Sequence, residues 1–322
     1  MRVLTHNDVL ACLAMPECIE AMALALADLA RGGYHQPLRT RAMTATGKNR
    51  MVLMPALRLT GKPLWGLKEI VVTPANPTLH GLDSHQGVLL LHDGVTGVLQ
   101  AIVEASAITS IRTAAVSAVA TRALARPDAR RVTLLGSGIQ AEAHVAAMRA
   151  ALPAAALTVW SRNPNHAAHF AHKHGCLAER ELEAAVRGAE VLCTVTSATE
   201  PFVRLEWLAP GCHVNAVGSS VPTVRELDAA TVAACSLFVD RRESALAEAG
   251  EIVKAIEEGA IDASHLKAEL GQVLAGQHPG RSSTSERTLF KSLGLALEDV
   301  VAAEAAWRMA ERIGRGTLVE GW

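Results

Sequence analysis

The feature that most constrains this chain is a glycine turn set between a strand and a helix. Val132 to Leu135 reads as a short buried strand, Gly136-Ser137-Gly138-Ile139-Gln140 as a turn, and Ala141 to Ala151 as a helix. The spacing G-x-G-x-x-A in that setting is the fingerprint of a dinucleotide-binding βαβ unit. Its glycines permit a tight turn and close approach of a pyrophosphate, whose charge meets free amides at the helix N-terminus. A purely structural glycine turn is the competing reading of the same residues. Further apolar runs, Leu157 to Trp160, Val191 to Val195, His213 to Val217 and Leu237 to Val239, alternate with helical stretches. That rhythm predicts a parallel sheet with crossover helices, hence a doubly wound α/β domain.

The end of the second strand refines the ligand. An NAD-binding unit of this kind usually carries Asp or Glu there, to accept bonds from a ribose hydroxyl. Here the residues are Ser161, Arg162 and Asn163, with no carboxylate. They suit a 2′-phosphate, with Arg162 as its charged partner, so NADPH is the expected cofactor and NADH a possible one. In the alternative, Arg162 is a solvated loop residue and NAD is used.

The flanking segments follow other periods. From Asn7 to Arg31 the pattern is helical: Asn7 or Asp8 is the expected cap of a short first helix, and Pro16 opens a second. Between Gly33 and Glu104, strand signals dominate at 51–59, 63–74, 87–93 and 97–104, predicting a mixed, mostly antiparallel sheet. An Ala-rich helix follows from about Ala105 to Ala125. Ser292 to Ile313 reads as one amphipathic helix with Leu293, Leu297, Val300 and Val301 on one side.

Composition excludes several functions. Thirty-one Lys and Arg stand against 32 Asp and Glu, a formal charge of -1, which provides no footprint for nucleic acid or an anionic membrane surface. Only 3% of residues are aromatic, so stacking platforms for bases or sugars are not expected. The longest weakly polar stretch, Ala105 to Ala125, is interrupted by Arg112 and Arg122, against a membrane span. The N-terminus shows no secretory pattern. Cys12, Cys18, Cys176, Cys193, Cys212 and Cys235 show no CxxC spacing and are read as buried thiols of a cytoplasmic protein. His166, His169, His172 and His174 share one predicted helix without a completing carboxylate or cysteine, so no metal site is expected.

Several separate motifs fall in one order: Gln36-Pro37-Leu38-Arg39-Thr40, Lys68 in a strand, Ser84-His85-Gln86-Gly87, Arg112-Thr113-Ala114-Ala115, Gly136 to Gln140, Thr194 to Pro201, Asn215 to Pro222 with Arg225 to Asp228, and Phe290 to Asp299. With these the chain resembles the ornithine cyclodeaminase/mu-crystallin family over nearly its full length. The resemblance implies a Rossmann NAD(P)-binding domain at 119–295. It would be inserted in a mixed α+β domain, 1–118 with 296–322, that builds the substrate site and a homodimer.

It also implies the site. Arg39, Lys68 and Arg112 would hold the carboxylate of a small α-imino or α-amino acid, chemistry that a planar guanidinium and a lysine point charge both suit. Ser84, His85, Arg112 and Thr113, Gly136, Ser137, Gly138, Ile139 and Gln140, Ser161, Arg162 and Asn163, Thr194, Val195 and Thr196, Val217, Lys291 and Ser292 would contact the cofactor. The resemblance would also set Glu248 at the border of the substrate pocket. On local pattern alone, His85 could equally be a structural loop histidine, Lys291 and Ser292 a plain helix start, and Glu248 a solvated helical glutamate.

One position departs from part of the family. Cyclodeaminases carry an aspartate in a G-x-D-x-P segment, whereas this chain has Gly218-Ser219-Ser220-Val221-Pro222. A serine without a partner base is not a general base near neutral pH. The serine version resembles mu-crystallin and bacterial ketimine reductases. The expected activity is therefore NAD(P)H-dependent reduction of a cyclic ketimine to L-proline or L-pipecolate, with Ser220, His85 or water settling the proton. The alternatives are an ornithine cyclodeaminase or alanine dehydrogenase and, in another class, a non-catalytic NADPH-dependent binding protein.

Overall fold

Two sheets organise the chain, which the computed structural model describes over residues 1–46 and 49–321. The first elements are β1 (Arg2–Leu4), α1 (His6–Cys12), α2 (Met15–Ala30), β2 (Tyr34–His35), β3 (Thr40–Met43), β4 (Arg50–Arg58), β5 (Leu64–Val72), α3 (Asn76–Leu79), β6 (His85–Asp93), β7 (Leu99–Glu104) and α4 (Ala105–Leu124). Then come β8 (Arg131–Leu135), α5 (Ile139–Ala151), β9 (Ala156–Trp160), α6 (Pro164–His174), β10 (Leu177–Ala178), α7 (Leu182–Arg187), β11 (Val191–Thr194) and β12 (His213–Ala216). They are followed by α8 (Ala229–Ala233), β13 (Ser236–Val239), α9 (Arg242–Glu248), α10 (Gly250–Glu257), β14 (Leu266–Glu269), α11 (Leu270–Leu274) and β15 (Thr288–Lys291). Last are α12 (Ala296–Ile313) and β16 (Thr317–Leu318). Contacts divide the chain into two compact units, Met1–Arg112 with Leu295–Trp322, and Thr113–Gly294.

The first unit holds a mixed sheet in the order β16-β1-β7-β6-β5-β4-β2, with β3 beside β4. Only β1 and β7 run parallel among these pairs. Strand alternation decides which side chains face inward. On β5 the buried set is Leu64, Gly66, Lys68, Ile70 and Val72, and α12 lies across this face of β4, β5 and β6. Gly66 allows the close approach, because a Cβ there would stand 2.2 Å from Cγ2 of Val300. Helices α1 and α2 pack on α12 in turn.

The second unit is α/β, with eight strands in the order β10-β9-β8-β11-β12-β15-β13-β14, all parallel. Its core is small and aliphatic, with Leu135, Leu192, Val214, Leu237 and Leu289 completely buried. Register brings the strand ends level: Leu135 lies opposite Trp160 and Thr194, Thr194 opposite Ala216, and Ala216 opposite Lys291. The chain direction reverses its spread between β8 and β11, the switch point where ligands of such sheets bind.

Local expectations needed correction in three places. Thr5, not Asn7 or Asp8, caps α1. Asp8 sits at the third helical position and accepts from the Thr5 amide at 3.0 Å, closing a capping box. The single helix expected from Ser292 to Ile313 is instead a four-residue link, Ser292 to Leu295, that follows β15, and then α12. The amides of Leu293 and Gly294 donate to Asp240 Oδ2 at 2.6 and 2.8 Å, so they are withdrawn from any helical ladder, and Gly294 takes φ +76°. Cys176 is only partly buried, on the turn after α6, while the other five thiols are buried. Among the described residues no single helix is long and apolar enough to cross a membrane.

Candidate active site

The expected substrate cations converge in the first unit. Lys68, at the centre of β5, is 1% exposed; its Nζ donates to Asp299 Oδ1 at 3.0 Å and to Thr109 Oγ1 at 2.7 Å. Arg112, 4% exposed on α4, donates from Nε to the same Asp299 oxygen at 2.8 Å and from Nη1 to Glu298 Oε2 at 3.0 Å. Both carboxylates are fully buried in the first turn of α12. Burial pushes the Lys68 ammonium down to about 8; the Asp299 charge opposes this and the Arg112 charge adds to it. Burial also works against ionised Asp299, but the charges of Arg112 and Lys68 outweigh it and hold the carboxyl below its usual range. Removing either partner would leave a buried charge uncompensated, at a cost of roughly 3–5 kcal/mol.

Other motif residues support this cluster. Gln36 Oε1 accepts from the Leu297 amide at 3.0 Å and Glu298 Oε2 from the Leu295 amide at 3.1 Å, so both satisfy the N-terminus of α12. Arg39 is half-buried on the link after Gln36, and its charge also lowers Lys68. Ser84 Oγ lies 2.9 Å from His85 Nδ1 at the start of β6. The His85 imidazole reaches solvent, yet partial desolvation and then the charges of Lys68 and Arg50 push it below its usual value.

In the second unit, five expected contact segments emerge at the level strand ends: Gly136 to Gln140 after β8, Ser161 to Asn163 after β9, Val195 and Thr196 after β11, Val217 to Ser220 after β12, and Ser292 after β15. The two glycines differ. Gly136 takes φ +125°, and a Cβ there would lie 2.8 Å from the Val195 carbonyl oxygen. Around a Cβ on Gly138, by contrast, there is no protein atom within 4 Å. That open cradle at the N-terminus of α5, with Ile139 56% exposed beside it, fits a pyrophosphate laid against the turn. Ser137 Oγ and Ser161 Oγ are 3.1 Å apart. Asn163 caps α6, accepting from the Asn165 amide at 3.0 Å, while Arg162 is exposed and Ser161 half-buried beside it.

Several expected contacts are held by the protein itself. Buried Glu226 accepts from Thr194 Oγ1 at 2.6 Å, from the Thr196 amide and hydroxyl at 2.8 and 2.7 Å, and from the Gly218 amide at 2.8 Å. Burial pushes its carboxyl above the usual range against the pull of those bonds. Lys291 is completely buried; its Nζ donates to the Ser219 carbonyl at 2.6 Å and pairs with Glu251 Oε2 at 3.0 Å. Glu251 in turn accepts from the Glu226 amide at 2.9 Å. Thr194, Thr196 and Lys291 therefore brace the loops after β11 and β12. Thr113 is buried on α4, Ser220 is half-buried in its loop, and Glu248, 5% exposed, is not a solvated glutamate.

Sequence reasoning assigned no role to Glu298, Asp299, Glu226 or Glu251. Lys68 carried the available signal, since a lysine on the inward period of an apolar strand requires a buried counter-ion. Histidines of α6 are largely exposed, and among the described residues no group of three or more metal-ligand side chains comes together.

The comparison with known proteins accords with this geometry. The profile of the ornithine cyclodeaminase/mu-crystallin family matches residues 1–313. The chain belongs to that family. Among its relatives, the Δ1-pyrroline-2-carboxylate reductase of Bacillus cereus is 35% identical over 327 residues, covering 99% of this chain and 100% of the relative. Ketimine reductase mu-crystallin of Macropus fuliginosus is 35% identical over 294 residues, 90% of each chain. The structure of Thermococcus litoralis Δ1-pyrroline-2-carboxylate reductase in complex with NADH and L-proline superposes with a TM-score of 0.92 at 34% identity, covering 99% of this chain and 100% of that one. The first unit thus holds a cationic cluster and the second a dinucleotide-type strand end, in a family whose named members include C=N reductases.

Proposed function

We propose that this protein is an NAD(P)H-dependent ketimine reductase converting Δ1-pyrroline-2-carboxylate or Δ1-piperideine-2-carboxylate to L-proline or L-pipecolate. The observation that carries this reading is the buried Lys68–Asp299–Arg112 arrangement, two cations held ready for one small carboxylate, in a chain 35% identical to a named pyrroline-2-carboxylate reductase. Residues 1–118 with 296–322 form the substrate and dimerisation domain, and 119–295 the cofactor domain. Arg112, Lys68 and Arg39 fix the substrate carboxylate, which orients the ring and its imine carbon. When bound at the Gly136–Gln140 turn, the reduced nicotinamide supplies the hydride.

A protonated imine is already electrophilic, so the protein needs no strong base. The Ser220 loop agrees with that economy. The one carboxylate in the 218–226 segment, Glu226, is engaged by four donors from Thr194, Thr196 and Gly218. Deamination of ornithine would require a base there, and neither Ser220 nor the engaged Glu226 provides it.

NADPH is the preferred cofactor in this reading, because Arg162 and not an acid follows β9. The assembly is a homodimer: the sheet face opposite α12 presents Met51, Leu53, Trp65, Leu67, Leu90 and Ile102 partly exposed, an apolar surface that a second copy would cover. Six free thiols accord with the cytoplasm.

The test is a steady-state screen of both cyclic imines with NADPH and NADH, run beside ornithine with ammonia measured. Reduction of an imine without ammonia release is expected. Ammonia from ornithine without imine reduction, or tight NADPH binding without any turnover, would replace this reading by the cyclodeaminase or the binding protein.

A further inference from the structure

The loops at the strand ends of the second unit divide into two sets. The Gly136 turn follows β8 and Ser161 to Asn163 follow β9, on one side of the switch point; the loops after β11, β12 and β15 lie on the other. A dinucleotide lies across such a crevice with one mononucleotide on each half of the sheet. The phosphate-type turn and Arg162 give the first half to the adenosine end, which leaves the nicotinamide end to the second. That second half is organised around one side chain. Glu226, at 0% exposure, takes the Thr196 amide and hydroxyl on Oε1 at 2.8 and 2.7 Å, and Thr194 Oγ1 and the Gly218 amide on Oε2 at 2.6 and 2.8 Å. One oxygen thus holds the loop after β11, and the other ties the end of that strand to the loop after β12. The two loops meet main chain to main chain, since a Cβ on Gly218 would fall 2.2 Å from the Thr196 carbonyl oxygen.

Glu226 is itself held from behind. Its amide donates to Glu251 Oε1 at 2.9 Å, and its carbonyl accepts from the Phe202 amide at 3.0 Å. Glu251 pairs through Oε2 with Lys291 at 3.0 Å, and Lys291 Nζ donates to the Ser219 carbonyl at 2.6 Å, so the end of β15 joins the same network. A brace needed for stability alone could be apolar, because a buried carboxylate carries a desolvation cost, visible here in a carboxyl pushed above its usual range. The donors that Glu226 takes all lie at strand ends of the ligand-facing edge. We infer that Glu226 is a positioning residue for the nicotinamide half of the cofactor, fixing the loops after β11 and β12 on which that half rests. The proposal rests on the dinucleotide reading of the Gly136 turn, and adds a residue that serves one half of the ligand and not the other. At 0% exposure the carboxylate does not touch the cofactor; it acts through Thr196 and the Gly218 main chain.

The test uses calorimetry to compare a whole dinucleotide with its adenosine end: NADPH with adenosine 2′,5′-bisphosphate, or NADH with ADP if NADH proves the tighter dinucleotide. Glu226→Gln turns one acceptor oxygen into an amide nitrogen that faces donors. It should weaken the dinucleotide about tenfold or more while leaving the adenosine fragment within about twofold of its native affinity. Thr194→Val removes one donor from the same carboxylate, at a residue whose 0% exposure keeps it from the ligand. It should weaken the dinucleotide roughly fivefold, again sparing the fragment, and carries the test if Glu226→Gln does not fold. Equal weakening of both ligands, or unchanged dinucleotide affinity in either folded variant, reduces Glu226 to a structural brace and overturns the proposal. A native protein that binds the dinucleotide but not the fragment overturns the assignment of the two halves, and the proposal with it. One that binds neither sinks the cofactor reading itself.

Discussion

Raising the pH through Lys68's titration should weaken carboxylate binding, and the size of the effect follows from its position. Burial pushes the ammonium down to about 8. Below that pH the lysine is charged and meets the ligand carboxylate; above it the amine is neutral and that attraction is lost. With affinity proportional to the charged fraction, the inhibition constant of pyrrole-2-carboxylate should rise roughly tenfold between pH 7 and pH 9, since each pKa unit corresponds to about 1.4 kcal/mol. This ligand is preferable to the substrate because a cyclic imine gains and loses its own proton with pH. Other perturbed groups leave the window clear: Cys18, Cys193, Cys212 and Cys235 are pushed up to about 12, and burial holds His85 below its usual imidazole value. Lys68→Arg supplies the control, because a guanidinium stays charged throughout. It should bind more weakly overall, its planar fork not reproducing the ammonium's bonds to Thr109 and Asp299, but with no alkaline limb. An inhibition constant that stays level from pH 7 to 9 in the native protein, or a limb that persists in Lys68→Arg, would refute the assignment of Lys68 as a carboxylate ligand.

Three further outcomes are expected. Gly138→Ala should leave thermal stability unchanged, since its Cβ would meet nothing in the protein, while weakening NADPH binding at least tenfold; Gly136→Ala should lower both, its Cβ falling 2.8 Å from Val195 O. Unchanged NADPH affinity in Gly138→Ala, measured by fluorescence titration, would show that the cradle is not a pyrophosphate site. Arg162→Ala should raise KM for NADPH about tenfold or more and leave that for NADH nearly unchanged, as expected for one charge-assisted phosphate contact; equal effects on both cofactors would remove Arg162 from cofactor choice. Acid should destabilise the fold through His144 and His213, which burial pushes down to about 4 and about 3. Both are neutral when folded and take a proton near pH 6.5 when unfolded, so the unfolded state binds more protons and stability falls with pH. Between pH 6 and pH 5 the pair should cost about 2 kcal/mol, and urea unfolding with no loss over that interval would contradict their neutral burial.

The second unit was legible because the physics of a parallel sheet is local in sequence. Four of its strands are apolar runs bounded by turns, and the Gly136 motif announced both the first strand and the helix after it. Strand β15 was not legible. Its four residues, Thr288 to Lys291, end in a lysine and join a leucine-rich stretch that shares the helical period of α12. Only Asp240, far away in sequence, takes the Leu293 and Gly294 amides and breaks that helix. Thr5 was overlooked for a related reason. Asp8 is an acceptable cap by type, but the reciprocal bond at the third helical position reverses which residue stands outside.

The same contrast separates the two halves of the candidate site. The cations come from the family motifs, and the chemistry of a carboxylate ligand, which a guanidinium and an ammonium both suit, agrees with them. Their counter-ions could not be named, because Glu298 and Asp299 open a helix, where acids are ordinary partners of the macrodipole and need no other reason. What distinguishes them is burial at 0% exposure beneath a strand whose inward period includes Lys68. Burial is a property of the whole sheet and helix, not of the dipeptide. The inward lysine nevertheless implied a missing anion, since an ammonium on the covered face of a sheet cannot remain charged without one. Acids on an apolar helix are the natural source of that anion, and α12, with both acids ahead of Val300, Ala303 and Trp307, is such a helix. The informative quantity was therefore the charge balance of a packed face, which neither the overall sum of -1 nor any single motif expresses.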